Sequence, residues 1–431
     1  MSASARPGLL RDPDFGRLFA ATALGQFGDR VVFLVLPLVA IAALDADELQ
    51  VGLLAALTSA GSFLVGLPAG AWVDRVRKRR VLIVTDLARA LVLATVPVAW
   101  WAGCLTFWWL GAVAFLHGSL TVFFDVAYLS YLPHLVGRDG VVAGNARLSA
   151  VRSVTSIGGP AAAGPLVGLV GAPVTLLASS VGMALSGLLA TTIRKPEPKP
   201  SPARKPALRR EVREGLTFVI RRPALRAIAL GDTVFNLFLA VYLAMLLVFL
   251  EREIDLDPFG IGLVLSGMGC GALLGALSAG AVVQRFGQGP VIWLAPLVTC
   301  PLTALMPLAR PGWSVWVAAT GLVVLSLGGV IRVVAQSGYQ QASTPDGLLG
   351  RMNATTRFVS WTGTLLGGLL GGALGSGLGA GAALWVGAAG MTSSTLVTLF
   401  STLRTARTAA GSHRAALNPP DVEGRLPDVR A

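Results

Sequence analysis

The sequence predicts an all-α membrane protein: twelve transmembrane helices in two pseudo-symmetric six-helix bundles. The apolar balance, the placement of the basic residues and an internal duplication point to it. Of 431 residues, 54% are hydrophobic and 13% charged, with mean hydropathy +0.70, against roughly 25% charged in a soluble domain. Crossing a hydrocarbon core takes about 20 apolar residues as helix. Breaking the chain at charges and Pro/Gly clusters leaves six such runs in the first half, at 18–44, 51–73, 81–102, 107–132, 148–170 and 173–193. Six more follow at 224–250, 260–283, 290–308, 313–335, 352–375 and 379–403. The expected units are a bundle at 1–193, a basic linker at 194–222, a second bundle at 223–404 and a polar, disordered tail at 405–431.

Charge supports this count. With both termini in the cytoplasm, only Arg252 and Arg310 of the 35 Lys and Arg fall in outer loops. The first outer loop carries Asp45, Asp47 and Glu48, and the fourth carries Glu251, Glu253, Asp255 and Asp257. Positive charge is retained on the cytoplasmic side, so one span more or fewer would put half the basic loops outside. The net charge of +13 therefore reads as topology and contact with anionic lipid, not nucleic-acid binding. The expected location is the inner (plasma) membrane. The linker holds ten Lys or Arg and five Pro, turns helical over 208–220 and is expected along the headgroups. The basic N-terminal stretch leads into an apolar run too long for a signal peptide, so it is expected to stay as the first helix. Three cysteines without ligand spacing imply neither a disulfide framework nor a metal, and no cofactor is expected.

The halves repeat. An offset of 210 residues aligns Gly52 with Gly262, Gly61 with Gly271, Ala69-Gly70-Ala71 with Ala279-Gly280-Ala281 and Arg75 with Arg285. An offset of 208 aligns Asn145-Ala146 with Asn353-Ala354 and Gly171-Ala172 with Gly379-Ala380. Parallel six-helix repeats build many secondary transporters, with the site at the midplane between halves.

The segment Gly70-x-x-x-Asp74-Arg75-x-Arg77-Lys78-Arg79 closely resembles the loop signature between the second and third helices of the major facilitator superfamily, with Arg77 where Gly is usual. Gly28-Asp29, Asp86-x-x-Arg89, Asp125 with Leu132-Pro133, and Gly144-Asn145-Ala146 narrow the resemblance to the macrolide-efflux-like branch of the drug:proton antiporters. Gly159-Pro160-x-x-x-Gly164 is similar to the antiporter motif, departing from it by one residue. The resemblance implies a cytoplasmic gate of Gly70, Asp74, Arg75 and Lys78, joined by Asp125, whose contacts form only when the inner side is closed. Arg332, roughly the repeat mate of Asp125, is expected to pair across that gate or to snorkel.

Inside the spans, polar residues mark function. Asp29 lies roughly 18 Å along the first helix, near the midplane, and Gln26, Asp29 and Phe33 share one helical face. Asp29 is either a proton carrier in a cavity or the structural partner of Arg30 or another helix's cation. Thr121 shares the fourth span with His117, which acts as a proton relay or is simply hydrogen-bonded. Asp232 and Asn236 are expected as a facing stripe on the seventh span. Asp86 and Arg89 are expected to satisfy each other at i, i+3. Gly363, Gly367 and Gly371 fall every fourth position, spacing that permits close, sliding helix contact. Trp100-Trp101 and Trp108-Trp109 are expected as interface belt residues.

With three His and few polar spans, no nucleophile, base and orienter can be assembled, and an enzyme is not expected. No Gly-x-x-x-x-Gly-Lys-Ser/Thr loop is present, so energy must come from an ion gradient or a partner. The expected function is proton-coupled export of an amphipathic drug-like or natural-product molecule by a monomer. The alternative is a lipid, siderophore or other small-molecule transporter, including an importer. A lone midplane acid with aromatics favours cationic or neutral substrates, whereas several buried Arg would favour an anion.

Overall fold

The computed structural model describes residues 12–73, 75–137, 140–197, 208–401 and 403. Among them are thirteen α-helices and no strand. In chain order these are α1 (Pro13–Leu38), α2 (Glu48–Val73), α3 (Lys78–Trp101), α4 (Phe107–Val136), α5 (Val141–Val170), α6 (Ala172–Thr191), α7 (Leu208–Arg221), α8 (Pro223–Val248), α9 (Pro258–Phe286), α10 (Gln288–Thr299), α11 (Ser314–Ser343), α12 (Asp346–Leu378) and α13 (Ala380–Leu399). All but α7 are long and apolar enough to cross a membrane, α10 together with the 3-10 turn Cys300–Leu305.

Helices α1–α6 form one bundle and α8–α13 the other, and their contacts obey the repeat. The packing of α2 on α4, α1 on α5, α1 on α6, α3 on α4 and α3 on α6 recurs as α9 on α11, α8 on α12, α8 on α13, α10 on α11 and α10 on α13. The bundles meet at α2 on α12 and at its repeat mate, α9 on α5. Even the acidic-end loops are copies. Val39–Ala43 and Phe249–Glu253 are π-helical turns ending α1 and α8. Asp45 (φ 49°) and Asp255 (φ 56°) then take the left-handed conformation that Asp tolerates better than most residues. Backbone bonds of 2.9 Å run from Ala46 N–H to the Ala40 carbonyl and from Leu256 N–H to the Leu250 carbonyl. Asp47 and Gln50 exchange side-chain bonds of 2.7 and 3.0 Å with each other's amides to start α2. Asp257 takes the Gly260 amide at 3.2 Å to start α9.

Helices overrun the apolar stretches at the basic end: α5 starts at Val141, α11 runs to Ser343 and α12 starts at Asp346. Hydropathy marks where hydrocarbon stops, but backbone hydrogen bonding carries a helix on into water. Exposed apolar residues such as Leu91, Leu169 and Leu277 face outward, and Trp100, Trp101, Trp108 and Trp109 are exposed beside the second acidic-end loop.

The start of the linker folds back on the first bundle. Amides of Arg194 and Lys195 reach Asp14 at 3.0 and 2.9 Å, and Lys195 Nζ reaches the Leu135 carbonyl at 2.7 Å. Glu197 accepts from the Lys78 and Arg79 amides at 2.8 and 3.2 Å and so caps α3. α7 packs on α12 and α8, with Val219 buried beside Leu225 and Met352 and an ion pair from Glu214 to Arg351. The linker is thus anchored to both bundles, with Val219 of α7 buried against α8 and α12 while Leu216 and Ile220 stay exposed.

Candidate substrate cavity

A cavity of about 500 Å³ lies between the bundles, lined by α1, α2, α4 and α8 with Arg152 of α5 and Thr364 of α12. That size suits a drug-like molecule. Val32, Leu36, Leu54, Leu243 and Leu247 give it an apolar side, while its charged and imidazole groups come from α1, α4 and α5 and α2 adds the hydroxyls of Thr58, Ser59 and Ser62. Gln26, Asp29 and Phe33 all line it, as their spacing predicts, and so do His117, Thr121 and Asp125.

At the wall, Asp29 is held by two groups from other helices. Arg89 donates to both of its carboxylate oxygens at 3.1 and 3.0 Å, and His117 Nε2 lies 3.2 Å from Oδ1. Arg89 is fully buried, stacks 4.4 Å over the Phe124 ring, reaches Thr121 at 3.3 Å and pairs with Asp86. The Ser186 hydroxyl donates to Asp86 at 2.6 Å. The structural partner of Asp29 is therefore Arg89, not the neighbouring Arg30. Asp86 and Arg89 do pair, but they do not satisfy each other completely, because two carboxylates share one guanidinium. His117 Nδ1 is buried without a hydrogen-bond partner among the described residues. An imidazole donating from Nε2 to Asp29 thus keeps an unused acceptor at Nδ1. Arg89 was the residue sequence reasoning missed. The signal was its donor inventory: five N–H groups exceed what one carboxylate at i−3 can use.

Three expected site residues lie elsewhere. Asp232 accepts from Arg332 and Gln336 inside the second bundle, and Asn236 donates to the Asp232 carbonyl at 2.8 Å. Arg332 is buried and stacks 4.3 Å over Phe235, so it neither bridges the bundles nor snorkels. A buried carboxylate demands a partner, and α11 supplies one within the bundle. Ala240, Leu243, Ala244 and Leu247 form the α8 wall instead.

Of the expected gate, Asp74 lies outside the described residues. Arg75 is exposed, and Gly70 has open space around it. Lys78 opens α3, its amide on Glu197. Asp125 sits on the cavity wall, within electrostatic reach of Arg152, Arg89 and Arg357.

The glycines divide by helix face. Gly159 lies against Arg30, while Pro160 and Gly164 meet Gly262 and Pro258 at the α5–α9 seam. Gly363, Gly367 and Gly371 pack on Thr233, Leu237 and Val241 of α8, within one bundle. The close approach across bundles is instead made by Gly368 and Gly372, against Ala56 and Gly52 of α2. The paired glycines of α12 place small residues on two adjacent faces, and spacing alone did not say which face crosses the seam.

The chain matches the transmembrane secretion effector family over residues 6–430. It is 29% identical over 226 residues to the multidrug efflux pump Tap of Mycolicibacterium fortuitum, a match covering 50% of this chain and 54% of that pump, so only about half of the relative's length is spanned. Among solved structures it is similar to the nucleoside transporter NupG, with TM-score 0.75 at 12% identity over 91% of this chain and 99% of that one. A bacterial homologue of the iron transporter ferroportin, in an inward-facing state, matches with TM-score 0.70 at 17% identity over 91% and 99%. These two likenesses establish the fold. The chain is a multi-pass membrane transporter of the major facilitator superfamily and belongs to its transmembrane secretion effector family.

Proposed function

We propose that this transporter is a proton-coupled exporter that moves amphipathic small molecules across the plasma membrane by alternating access, with its basic loops and both termini in the cytoplasm. The observation that carries the reading is the Asp29–Arg89–His117 cluster on the cavity wall. Asp29, Asp86 and Arg89 together hold one uncompensated negative charge in a buried setting, an arrangement that a single proton neutralises. The proton has two places to sit, a carboxyl of the cluster or His117 Nδ1, and Asp29 and His117 both line the cavity. Substrate entering the cavity lies against this cluster, and a difference in substrate affinity between its protonated and deprotonated forms is the coupling an antiporter needs. The efflux pump resemblance favours export; the structural neighbours carry different cargo on the same fold, so the direction rests on that relative alone.

The test is substrate-driven proton movement in inverted vesicles energised to an acid interior, with cationic, neutral and anionic amphipaths. Wild type is expected to release protons with at least one compound, and Asp29→Asn with none although it still binds that compound. Transport without proton movement, or normal coupling in Asp29→Asn, overturns the proposal.

A further inference from the structure

Among the described residues, two guanidinium groups on the cavity wall have no carboxylate within ion-pair distance. Arg30 and Arg152 both line it and are exposed there, roughly 25 Å along α1 and roughly 16 Å along α5 from their basic ends. Asp29 and Asp125 are the carboxylates of the wall, and Asp29 is already engaged by Arg89. Arg357 of α12 adds a third exposed guanidinium within electrostatic reach of Asp125, 5.2 Å over the Trp361 ring. Among the described residues Arg30, Arg152 and Arg357 make no ion pair, whereas every buried guanidinium of the helix cores, Arg89 and Arg332, has its carboxylate. Among the described residues Arg152 donates to the Tyr128 hydroxyl alone, and it stacks 5.3 Å over that ring. Gly159, whose close neighbour is the Cβ of Arg30, lets α1 and α5 approach and brings Arg30 toward the same wall as Arg152.

Charged groups at this depth are retained only when something answers their charge. We propose that the cavity takes an amphipath bearing an anionic group, a carboxylate or phosphate, held by Arg30 and Arg152 while its apolar body lies against Leu54, Leu243 and Leu247. The planar forks of two arginines suit the paired oxygens of such a group. This substrate replaces the cationic or neutral one that Asp29 by itself implied, because Asp29 is held by Arg89 and His117 while Arg30 and Arg152 of the same wall make no ion pair among the described residues. The proposal rests on the cavity being the transport site, as proposed above.

The experiment is equilibrium binding to purified protein in neutral-lipid nanodiscs, with three fluorescent dansyl probes of matched body ending in a carboxylate, an amide or an ammonium. The carboxylate is expected to bind at least about tenfold more tightly than either other probe. Arg30→Gln and Arg152→Gln are expected to erase that preference, and Arg30→Lys and Arg152→Lys to restore part of it, with a monodisperse elution profile confirming each variant's fold. Equal or better binding of the ammonium, a preference indifferent to the Gln variants, or no carboxylate binding overturns the proposal. Doping the nanodiscs with phosphatidylglycerol separates the sources of the anion: displacement of the probe assigns a lipid headgroup, and indifference assigns a water-borne amphipath. Because binding needs no gradient, charge preference without proton-linked flux would retain this inference and remove the antiport reading, and flux without charge preference would do the reverse.

Discussion

Arg89 serves two carboxylates from different helices, Asp86 on its own α3 and Asp29 on α1, in a site its side chain shares with no water-exposed surface. Removing the guanidinium strands both acids, and breaking such a buried pair costs about 3–5 kcal/mol. Arg89→Met is therefore expected to lower the unfolding temperature in detergent sharply, and adding Asp86→Asn to the same chain to recover part of the loss. Full stability in Arg89→Met would mean that the cluster is not charged as drawn. Asp29, Gln26, Phe33, His117 and Thr121 were legible because each rests on one helix's periodicity. That Asp29 pairs with another helix's cation was among the expectations, but which cation was not legible, since Arg89 reaches it from sixty residues away and no local spacing encodes a contact between helices. Asp232 was misplaced for the same reason: its depth resembles that of a cavity residue, yet a cation on α11 claims it.

The elements meet at two seams, and both close through backbone. A Cβ at Gly52 would meet the Gly372 backbone, and one at Gly164 would meet the Pro258 carbonyl, whereas Gly280 has nothing within 4 Å. Gly52→Val is thus expected to prop the acidic end open and Gly280→Ala to be silent, read as labelling from the acidic side of a cysteine placed at the cavity-lining position Leu54. Across the same end, Arg252 of the second bundle reaches Glu48 at 3.2 Å, Asp45 at 3.4 Å and the Ala46 carbonyl at 2.8 Å. Its copy in the first half is Ala42, so the fastening is one-sided. Part-exposed ion pairs contribute up to about 1 kcal/mol, and Arg252→Ala is expected to raise the same labelling rate by roughly fivefold. Unchanged labelling would show that the glycine seam closes this end without it. Spans were visible in the sequence because hydropathy is local. The division of α12 between Gly363, Gly367 and Gly371 on one neighbour and Gly368 and Gly372 on another was not, because both sets have the same four-residue period.

At the scale of the molecule, duplication explains the architecture and its departures explain the chemistry. Helix pairings, π turns and left-handed aspartates repeat between halves, and the offset near 210 residues announced them. The Asp29 cluster has no copy. Thr22, not an acid, stands 210 residues before Asp232, and the Asp232–Arg332–Gln336 group is sealed inside its bundle. One half thus carries an acid that faces the cavity, while the other supplies apolar wall from α8. Under the proposed alternating access this acid faces each side in turn, and the Asp29 cluster supplies the one proton site the proposal requires.

The direct measurement of this claim compares two assays of Asp29→Asn in proteoliposomes, using an amphipath that wild type moves. One follows exchange of labelled for unlabelled substrate without a gradient, and the other follows uptake driven by a pH difference. If Asp29 carries the coupled proton, the variant retains exchange and loses gradient-driven accumulation, because its neutral side chain mimics the protonated state at all pH values. Accumulation at the wild-type level, or loss of exchange together with accumulation in a variant that still binds substrate, would contradict that role.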